Sequence, residues 1–590
     1  DLAVAASIIQ YQTFAELLAI SETVDYKQYT VAERANAAYT LQPAGYVALA
    51  GDATLANGRV AQLQKSSAGW HIENFGAKEK TNSTTAIKNA ITRAVDSVIV
   101  GNAVVYWFNE ELLFSENNSG IAGVGGPMTL YNLSLTETSI RVSPASPELG
   151  NIISNVTINN VKVGRVGSSS GATGIKLHQV SELTINDFSS LASHVAMEIK
   201  GIQATNMSNL MLNVGNSVSA LSGVSLITYG GYPLSAGGFS PAYTTNVTNI
   251  IAGADFKVDH VLDINQADGF EVTGGYISAA AVSNVNIEPS TGQGVGSVLF
   301  NSLYLDGVLA GQGANHGITV PVHSGSFLNS VKFSDCKIGN YLSHIINIDG
   351  LATNFEFVGT TIRIGGGVGV RVAGGYQSSV KVIGGNIGFC TTAVYAGGVQ
   401  EFTMVGTSLD VCDLGVKLEN TDSAILDNIY FRNVTQKLDI TNVPNLSGGN
   451  CVANDDGIID VNSGTFTPTL KINALTTGIT YTSQSGNYVK NGNVVTFSLE
   501  IKLLSKGSEL GTVTIRDLPF SVKNITAFSV YAFNLSSTRT QGQLQIISAA
   551  GSSNVLNATV INSSGDRIFL SESDIDGDLS ISVSGSYIAD

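Results

Sequence analysis

Short apolar runs recur about every 23 residues in the second half of the chain, and this repeat constrains the fold more than any other feature of the sequence. Each run alternates apolar and variable residues, and successive runs begin at positions 331, 355, 380, 402 and 425. The runs are Val331–Ile338, Phe355–Ile362, Val380–Ile387, Phe402–Leu409 and Ile425–Arg432. Because such alternation is typical of a strand with one buried face, each run is predicted to be a strand stacked on the next.

A set of apolar triplets recurs at nearly the same spacing as these runs. The triplets are Ile346–Ile348, Val370–Val372, Val394–Ala396, Val416–Leu418 and Leu438–Ile440. Looser copies of the pattern occur earlier, at Val156–Ile158, Leu183–Ile185, Leu210–Leu212, Phe270–Val272 and Val298–Phe300. Two strand positions that move together indicate several strands per coil, stacked coil on coil. The predicted fold is therefore all-β, a right-handed parallel β-helix of about a dozen coils spanning 70–445.

The ends of the chain lack this repeat. Residues 1–69 are predicted to form a small α/β head, with a helix at Thr13–Ile20 and a strand at Gln28–Val31. Residues 70–95 are predicted to open the β-helix and cover its first coil. Their helix, Thr84–Ala94, has apolar residues at helical spacing and Ser or Thr at its start for capping.

The repeat stops after Asn445. We predict a linker at 446–463 and an antiparallel β-sandwich at 464–590. Alternating apolar residues flank the pair Asn491–Gly492, a strong signal for a β-hairpin.

Composition excludes several classes of protein. Charged residues are 13% of the chain and hydrophobic residues 43%, which excludes a disordered chain. The net charge of −16 argues against binding to nucleic acid. The sequence contains no run of ~20 apolar residues, so we predict no membrane span. The four cysteines form no CxxC pair, so we expect buried thiols, no structural zinc and no cofactor.

The order of these parts resembles that of bacteriophage tailspike proteins. Phe75-Gly76-Ala77 and the helix after it are similar to the motif that opens the β-helix of tailspikes and pectate-lyase-like depolymerases. Lys78–Ser83 departs from that motif, since its acidic GDG and DD residues are missing. Tyr481–Phe497 is similar to the C-terminal domain of many tail fibre and spike proteins. The likeness is one of architecture and carries over no catalytic residue.

This resemblance implies a function and a set of partners. The protein would bind and depolymerise a bacterial surface polysaccharide (capsule, exopolysaccharide or O-antigen) during host recognition. It would form a homotrimer whose C-terminal domain locks the chains together and contacts carbohydrate. The N-terminal region would attach to the phage tail or baseplate. The protein would be assembled in the host cytoplasm, belong to the virion and act outside the bacterial cell.

Paired carboxylates are the best candidates for chemistry, because the sequence contains no GxSxG, HExxH or P-loop. Glycoside hydrolysis needs two carboxyl groups, ~5–5.5 Å apart for retention and ~6.5–9.5 Å for inversion. Aligning the coils on Phe270 and Val298 puts Glu271 and Asp306 on neighbouring coils, and we expect them to face one concave junction. This pair, with Asp263 or Asp268 as substitutes, predicts an inverting hydrolase, although any single outward carboxylate can simply be solvated.

Candidate substrate-binding residues lie in or near three Gly-rich insertions, Tyr229–Asn246, Pro289–Gly296 and Gly307–Phe327. The candidates there are Tyr232, Tyr243, Tyr276, Tyr304 and His316, and Arg363, which lies outside the insertions, is a candidate for binding an acidic sugar. The tyrosine pair at 276 and 304 suits a platform for a sugar ring, or a packing ladder.

Two alternatives to hydrolysis remain open on the sequence. The first is a polysaccharide lyase acting on a uronate-containing capsule, with Tyr304 as base and Arg363 near the uronate carboxylate. The second is an adhesin that holds the sugar without cutting it.

Overall fold

The structure is a computed structural model, and its description covers most of the chain. The described residues are 8–22, 24–147, 151–165, 172–191, 193–214, 219–235, 239–291, 293–307, 316–322, 327–373, 378–453, 457–459, 463–491, 494–523, 527–535, 544–548, 554–561 and 565–589. They fall into two compact units, the first made of 1–424 with 429–445 and the second of 425–428 with 446–590. Within the described part, no helix is both long and apolar enough to cross a membrane.

The first unit opens with a small mixed sheet and two α-helices. The sheet contains, in spatial order, Ile9–Tyr11, Gln28–Val31, Ala37–Leu41, Val60–Leu63 and Ala53–Thr54. The α-helices are Phe14–Leu18 and Thr84–Arg93, and the described part of the chain also contains short 3₁₀ helices at Ala32–Arg34, Ile72–Phe75 and Glu572–Asp574. The strand predicted at Gln28–Val31 is confirmed, and the first predicted helix is shorter than expected.

The cap of the second helix differs from the prediction. Ser83 occupies the N-cap position, but its side chain makes no capping hydrogen bond. The Asn82 side chain takes that role, and its Oδ1 accepts a hydrogen bond of 3.1 Å from the backbone N–H of Thr84.

The rest of the first unit is a parallel β-helix of about 14 turns, which confirms the predicted fold. Its strands, in chain order, are Trp70–His71, Val98–Asn102, Val105–Phe108, Leu112–Phe114, Gly120–Val124, Met128–Asn132, Ile140–Val142, Thr157–Arg165, Thr173–His178, Thr184–Leu191, Val195–Lys200, Thr205–Asn213, Ser225–Gly230, Tyr243–Gly253, His260–Ile264, Ala267–Ser278, Ser283–Ile287, Gly294–Asp306, His316–Val320, Phe327–Ser334, Lys337–Tyr341, Ile346–Ile348, Thr353–Val358, Thr361–Gly365, Val368–Val372, Ser379–Ile383, Asn386–Gly397, Glu401–Val405, Ser408–Glu419, Ser423–Asp427 and Tyr430–Thr441. Two short pairs lie outside these sheets, Ile153–Ser154 with Val180–Ser181 and Tyr232–Pro233 with Phe239–Ser240.

Each turn passes through three sheets, here called sheet one, sheet two and sheet three. In the turn that starts at Ala267, residues 267–273 lie in sheet one, 275–278 in sheet two and Ser283–Ile287 in sheet three. The predicted register of sheet one is confirmed, with one residue per turn stacked from 270 through 298, 331, 355 and 380 to 402. These side chains are buried and form the core of the helix.

The corner between sheets one and two is sharp, and one residue there usually adopts the left-handed conformation. Asn209, Asn249 and Ser302 occupy this position with φ of 52°, 58° and 53°. Asn tolerates this conformation better than most residues. In the turn between Asn249 and Ser302 the corner is Gly274–Gly275, where a Cβ on Gly275 would lie 2.0 Å from the Ile250 carbonyl oxygen.

Buried aromatic rings and thiols fill the interior of the helix. Phe333 lies at the centre of the aromatic cluster, with its ring centroid 4.5 Å from that of Phe300 and 5.4 Å from that of Phe357. Cys390 and Cys412 are partners on adjacent turns, and their sulfur atoms lie 3.5 Å apart. All four cysteines are buried, as predicted.

The second unit is an antiparallel β domain with its own core, as predicted. The short strands Asn445–Gly449, Cys451–Ala453 and Gly457–Ile459 precede its sheet and are not part of it. The described strands of the sheet are Ser463–Phe466, Thr469–Ile472, Ile479–Asn491, Val494–Lys506, Val513–Arg516, Ala527–Leu535, Leu544–Ser548, Leu556–Ile561, Arg567–Phe569 and Ile575–Ile588. The strands on either side of the predicted hairpin pair antiparallel, with Asn491 opposite Val494, while residues 492–493 lie outside the described part. Phe497 and Tyr587 are buried in the core.

Two segments outside the regular repeat contain strands. The stretch 446–463, predicted as a linker, holds Cys451–Ala453 and Gly457–Ile459. The insertion Gly307–Phe327 contains His316–Val320, which is the sheet-three strand of its turn. The insertion interrupts the repeat because extra residues precede and follow that strand; of these, 308–315 and 323–326 lie outside the described residues.

Candidate functional site

A row of polar side chains follows the outer face of sheet three. Successive turns place Thr228, Asp263, Asn286, Thr319 and Asn347 in register as direct neighbours. The row continues through Arg371, Tyr395, Lys417 and Asp439. Neighbouring strands in a sheet lie ~4.8 Å apart, so the row presents one side chain at each such step.

A chain of hydrogen bonds joins His260 to Asn286 in the middle of this row. His260 Nδ1 lies 2.8 Å from Ser283 Oγ, which lies 2.9 Å from Thr319 Oγ1. Thr319 donates its hydroxyl proton to Asn286 Oδ1 at 2.8 Å. Because each hydroxyl has one proton to donate, Ser283 must donate to Thr319, and His260 must donate to Ser283. The chain therefore selects the tautomer of His260 that carries its proton on Nδ1.

Two carboxylates meet at the amide of Asn286. Its Nδ2 lies 2.9 Å from Asp263 Oδ1 and 3.4 Å from Glu288 Oε2. The two carboxylate oxygens therefore cannot be farther apart than the sum of these distances. Asn265 donates a second hydrogen bond, of 3.0 Å, to Asp263 Oδ2. Glu288 follows the sheet-three strand Ser283–Ile287 and is exposed.

Burial shifts the pKa values of Asp263 and His260 in opposite directions. Burial raises the pKa of Asp263, and this effect exceeds the lowering by the Asn286 hydrogen bond and the nearby His260. Burial lowers the pKa of His260, against the opposing charges of Asp263 and Asp259. The site therefore favours an uncharged imidazole and a carboxyl group that keeps its proton to higher pH than an ordinary aspartate. A proton-holding carboxyl beside a second carboxylate is the arrangement that acid-assisted cleavage needs.

Long connections flank sheet three next to this cluster. Nine residues separate the strand His316–Val320 from Asp306, and six residues separate it from Phe327. The hairpin Tyr232–Pro233 with Phe239–Ser240 lies between a sheet-three strand and the next sheet-one strand. Long connections beside a regular repeat are frequent places for binding residues.

Farther along sheet three, the charged side chains of the row contact one another. Arg371 donates a hydrogen bond of 2.6 Å to Asn347 Oδ1 and forms an ion pair with Asp349. Lys417 lies 2.6 Å from Glu419, which also accepts a hydrogen bond of 3.2 Å from the Tyr395 hydroxyl. The outer face of sheet three is therefore polar over many turns.

Glu271 and Asp268, both predicted as catalytic, lie on the outer face of sheet one. Glu271 lines a cavity of about 540 Å³ together with Lys332 and Glu356. Asp268 lines an adjoining cavity of about 470 Å³ together with Tyr243. The structure thus brings Asp268, Glu271 and Tyr243 to one face of the helix.

Asp306 lies on sheet two with both predicted tyrosines. Its Oδ2 accepts a hydrogen bond of 2.7 Å from the Tyr276 hydroxyl, and its Oδ1 accepts one of 2.8 Å from Asn340 Nδ2. The rings of Tyr276 and Tyr304 are 5.3 Å apart and meet edge to face. Burial, followed by the hydrogen bond to Asp306, raises the pKa of Tyr276 to about 12.

The expected concave junction between Glu271 and Asp306 does not exist. Val272 and Ile277 are buried on the two sides of the corner at Gly274–Gly275, so the core occupies the concave side. Outward side chains of sheets one and two therefore diverge from this corner. Glu271 and Asp306 belong to separate surfaces, and the structure does not bring this predicted pair together.

The other predicted binding residues are dispersed. The Tyr232 ring packs 5.1 Å from that of His178, and His316 Nδ1 donates a hydrogen bond of 3.1 Å to the His344 carbonyl oxygen. Arg363 donates hydrogen bonds to Asn386 at 2.7 Å and to Asp410 at 3.4 Å.

Sequence reasoning found Asp263 but missed His260, Asn286, Glu288 and Thr319. The insertions after Ile287 and before His316 break the repeat, so the two turns that lie between Asp263 and Asn347 are not visible from the spacing of the triplets. The signal was present in the alternation of Ser283–Ile287 and His316–Val320, whose outward positions hold Asn286 and Thr319.

An ion cluster near the N-terminal end of sheet three gives a prediction about acid stability. Burial would raise the pKa of Glu198, but hydrogen bonds and charge from His178 and Lys200 outweigh it and lower the pKa to about 2. A lowered folded-state pKa stabilises the fold above the unfolded value of 4.5, and this contribution disappears as pH falls toward about 2. Thermal melts of the wild type should therefore exceed those of Glu198→Gln at neutral pH and converge with them in acid. The exposed carboxylate variant Glu116→Gln should match the wild type at each pH, and a constant gap between Glu198→Gln and wild type would contradict the assignment.

The solved structures that are similar to this chain include two tailspikes. The Dettilon tailspike protein (gp208) matches 88% of this chain and 94% of its own, at 13% identity and a TM-score of 0.53. The Acinetobacter phage vb_AbaP_AS12 gp42 tailspike matches 86% of this chain and 92% of its own, at 12% identity and a TM-score of 0.50. No protein-family model and no curated protein matches the sequence. The chain therefore has the fold of tailspike proteins, as its sequence resemblance implied.

Proposed function

We propose that this protein is a phage tailspike that binds a bacterial surface polysaccharide and cleaves it by glycoside hydrolysis during host recognition. The observation that carries the proposal is the pair formed by Asp263 and Glu288 at the amide of Asn286. One carboxyl, that of Asp263, is partly buried, and this burial raises its pKa, while the carboxyl of Glu288 is exposed. That is the division of roles a glycosidase needs.

In the proposed reaction, Asp263 protonates the glycosidic oxygen as the bond to the anomeric carbon breaks. Glu288 attacks that carbon and forms a covalent glycosyl intermediate. Water then attacks the same carbon, releases Glu288 and returns a proton to Asp263. The contacts of 2.9 and 3.4 Å to Asn286 Nδ2 limit the distance between the two carboxylate oxygens to less than the ~6.5–9.5 Å of inverting enzymes, which favours the closer spacing of retaining ones. We therefore propose a retaining hydrolase in place of the inverting one expected from Glu271 and Asp306.

The shape and chemistry of sheet three suit a linear polysaccharide. A side chain at each ~4.8 Å step provides hydroxyl, amide, carboxylate and guanidinium groups along the polymer. Arg371 and Lys417 also provide positive charge, although each is already bound to a carboxylate. The hydrogen bonds that join Asp263, Asn286 and Thr319 give a rigid surface on which the sugar ring can be held in one orientation.

The test is incubation of the purified chain with a panel of capsular, exopolysaccharide and O-antigen polymers. We expect at least one polymer to shorten, with new reducing ends and no rise in ultraviolet absorbance. A rise in absorbance from an unsaturated product would indicate the lyase alternative. Binding of a polymer that keeps its length would indicate the adhesin.

The proposal includes a trimer, which apolar surface on the second unit supports. Leu504, Leu510, Tyr531, Phe533 and Phe569 are each at least half exposed, and exposed apolar clusters commonly mark interfaces. Light scattering should therefore give three times the chain mass of 61.4 kDa. A stable particle of one chain mass would contradict the trimer. Attachment to the phage tail or baseplate by the N-terminal region, and carbohydrate contact by the second unit, belong to the same proposal.

A further inference from the structure

The outer face of sheet one contains a groove, whereas Asp263 lies on sheet three. It consists of the two adjoining cavities of about 470 and 540 Å³, and Ser297 and Ser330 line both. Aromatic side chains lie at the smaller cavity, namely Phe239, Tyr243 and Phe327. Each of the three is well exposed, although each has a large apolar ring.

The ring of Phe327 lies against the backbone of the neighbouring strand. Its register partner is Gly294, and a Cβ on that glycine would lie 2.4 Å from the ring. A Cβ on Gly296 would lie 3.5 Å from the same ring. Two glycines therefore let the ring approach the strand on one side, while the side chain stays 52% exposed to solvent. A supported aromatic ring with exposed surface is a platform on which the apolar face of a sugar ring can stack.

Gln293 supplies a buried hydrogen-bond acceptor at the same cavity. It is 6% exposed and lines the cavity with Tyr243 and Phe327. Among the described residues, no donor reaches its Oε1. A buried acceptor without a donor costs stability, so an unpaired one at a cavity wall is explained by a ligand that supplies the donor.

The charge of the smaller cavity limits which sugars can bind there. Asp268 contributes a carboxylate, and the described residues that line this cavity include no Lys, Arg or His. This carboxylate would repel an anionic sugar. A neutral sugar bearing hydroxyl or acetamido N–H donors fits both the acceptors and the aromatic ring.

We propose that this groove is a second carbohydrate-binding site, which holds a neutral sugar without cutting it. The sugar ring stacks on Phe327 beside Tyr243, and one of its hydroxyl or N–H groups donates to Gln293 Oε1. The site would hold the glycan surface while sheet three acts on the polymer. It does not depend on cleavage at Asp263.

The test measures binding of the full-length Asp263→Asn variant to a printed array of neutral and anionic bacterial glycans. We expect binding to at least one neutral glycan and a loss of about tenfold or more in affinity when Phe327→Ala is added. Phe389→Ala replaces a similarly exposed ring (44%, against 52% for Phe327) outside the groove and should leave the affinity unchanged. The array reads binding alone, so a failure of the protein to cleave any polymer leaves this result standing.

The variant Gln293→Met tests whether Gln293 contacts the glycan or only stabilises the fold. Met has a similar volume and no acceptor, so binding of the same glycan should weaken severalfold. The melting temperature should stay equal or rise, because the lost acceptor has no described partner. The proposal is overturned if no neutral glycan binds, if Phe327→Ala binds like its parent, or if Gln293→Met melts lower with unchanged binding.

Discussion

Asp263→Asn is expected to slow polymer cleavage by roughly 10²–10⁴-fold, the usual contribution of a general acid. The amide keeps the size of the side chain and its contact with Asn286, but it has no proton to give to the glycosidic oxygen. Binding of the polymer should be retained, because the rest of the sheet-three row is unchanged. The measurement is the rate at which reducing ends appear, beside a binding assay on the same polymer.

Asp439→Asn is the matched control for this variant. Asp439 lies in the same outward row, and Lys417 approaches it at 3.9 Å. It is remote from Asn286 along the helix, so its loss should leave the rate near that of the wild type. The assignment is wrong if Asp263→Asn cuts at the wild-type rate while Glu271→Gln or Asp306→Asn does not cut.

The pH dependence of the wild type follows from the same carboxyl group. Cleavage should decline as pH rises through the pKa of Asp263, because the acid then loses its proton. A raised folded-state pKa also means that this group stabilises the fold below its unfolded pKa and that the contribution is lost as pH rises through the folded value. A cleavage rate that keeps rising as the pH increases past the pKa of Asp263 would exclude Asp263 as the acid.

Phe333→Ala is expected to lower the free energy of unfolding by about 3–5 kcal/mol, the usual cost of deleting a buried Phe side chain. The ring is fully buried and contacts Phe300, Phe355 and Phe357, so its removal leaves a cavity between turns. The measurement is the shift of the denaturation midpoint and of the unfolding rate. Phe389→Ala, an exposed ring at a corner, should change stability by no more than about 0.5 kcal/mol.

An equal midpoint for Phe333→Ala and the wild type would contradict a core built from stacked turns. A loss equal to that of Phe389→Ala would do the same, because the two rings would then be equivalent in burial.

The fold could be predicted from the sequence because its period is visible wherever turns are of equal length. From Val331 to Ile440 successive turns differ by only a few residues, so each apolar position identifies its neighbour directly. Even Phe270 and Val298, which lie across an insertion, are partners as predicted. The hairpin at Asn491–Gly492 was readable for a local reason, since that pair favours a tight turn between two alternating runs.

The candidate site could be predicted only in part. Asp263 was visible as an outward acidic residue, but its raised pKa arises from burial among residues that are distant in sequence or hidden by insertions. Glu271 and Asp306 were paired wrongly because periodicity gives the register of strands and does not give the direction in which a corner bends. Gln293 gave no sequence signal, since an unpaired acceptor is recognisable only in three dimensions.

The most direct test of the account is a crystal structure of the Asp263→Asn variant with an oligosaccharide from a polymer that the wild type cleaves. We expect the sugar to lie along the outer face of sheet three, with one glycosidic oxygen within hydrogen-bonding distance of residue 263 and the adjacent anomeric carbon beside Glu288. A sugar bound on sheet one should then occupy the groove at Phe327, in addition to and not instead of this one. Sugar found only on sheet one or sheet two, with sheet three empty, would contradict the proposed site of cleavage.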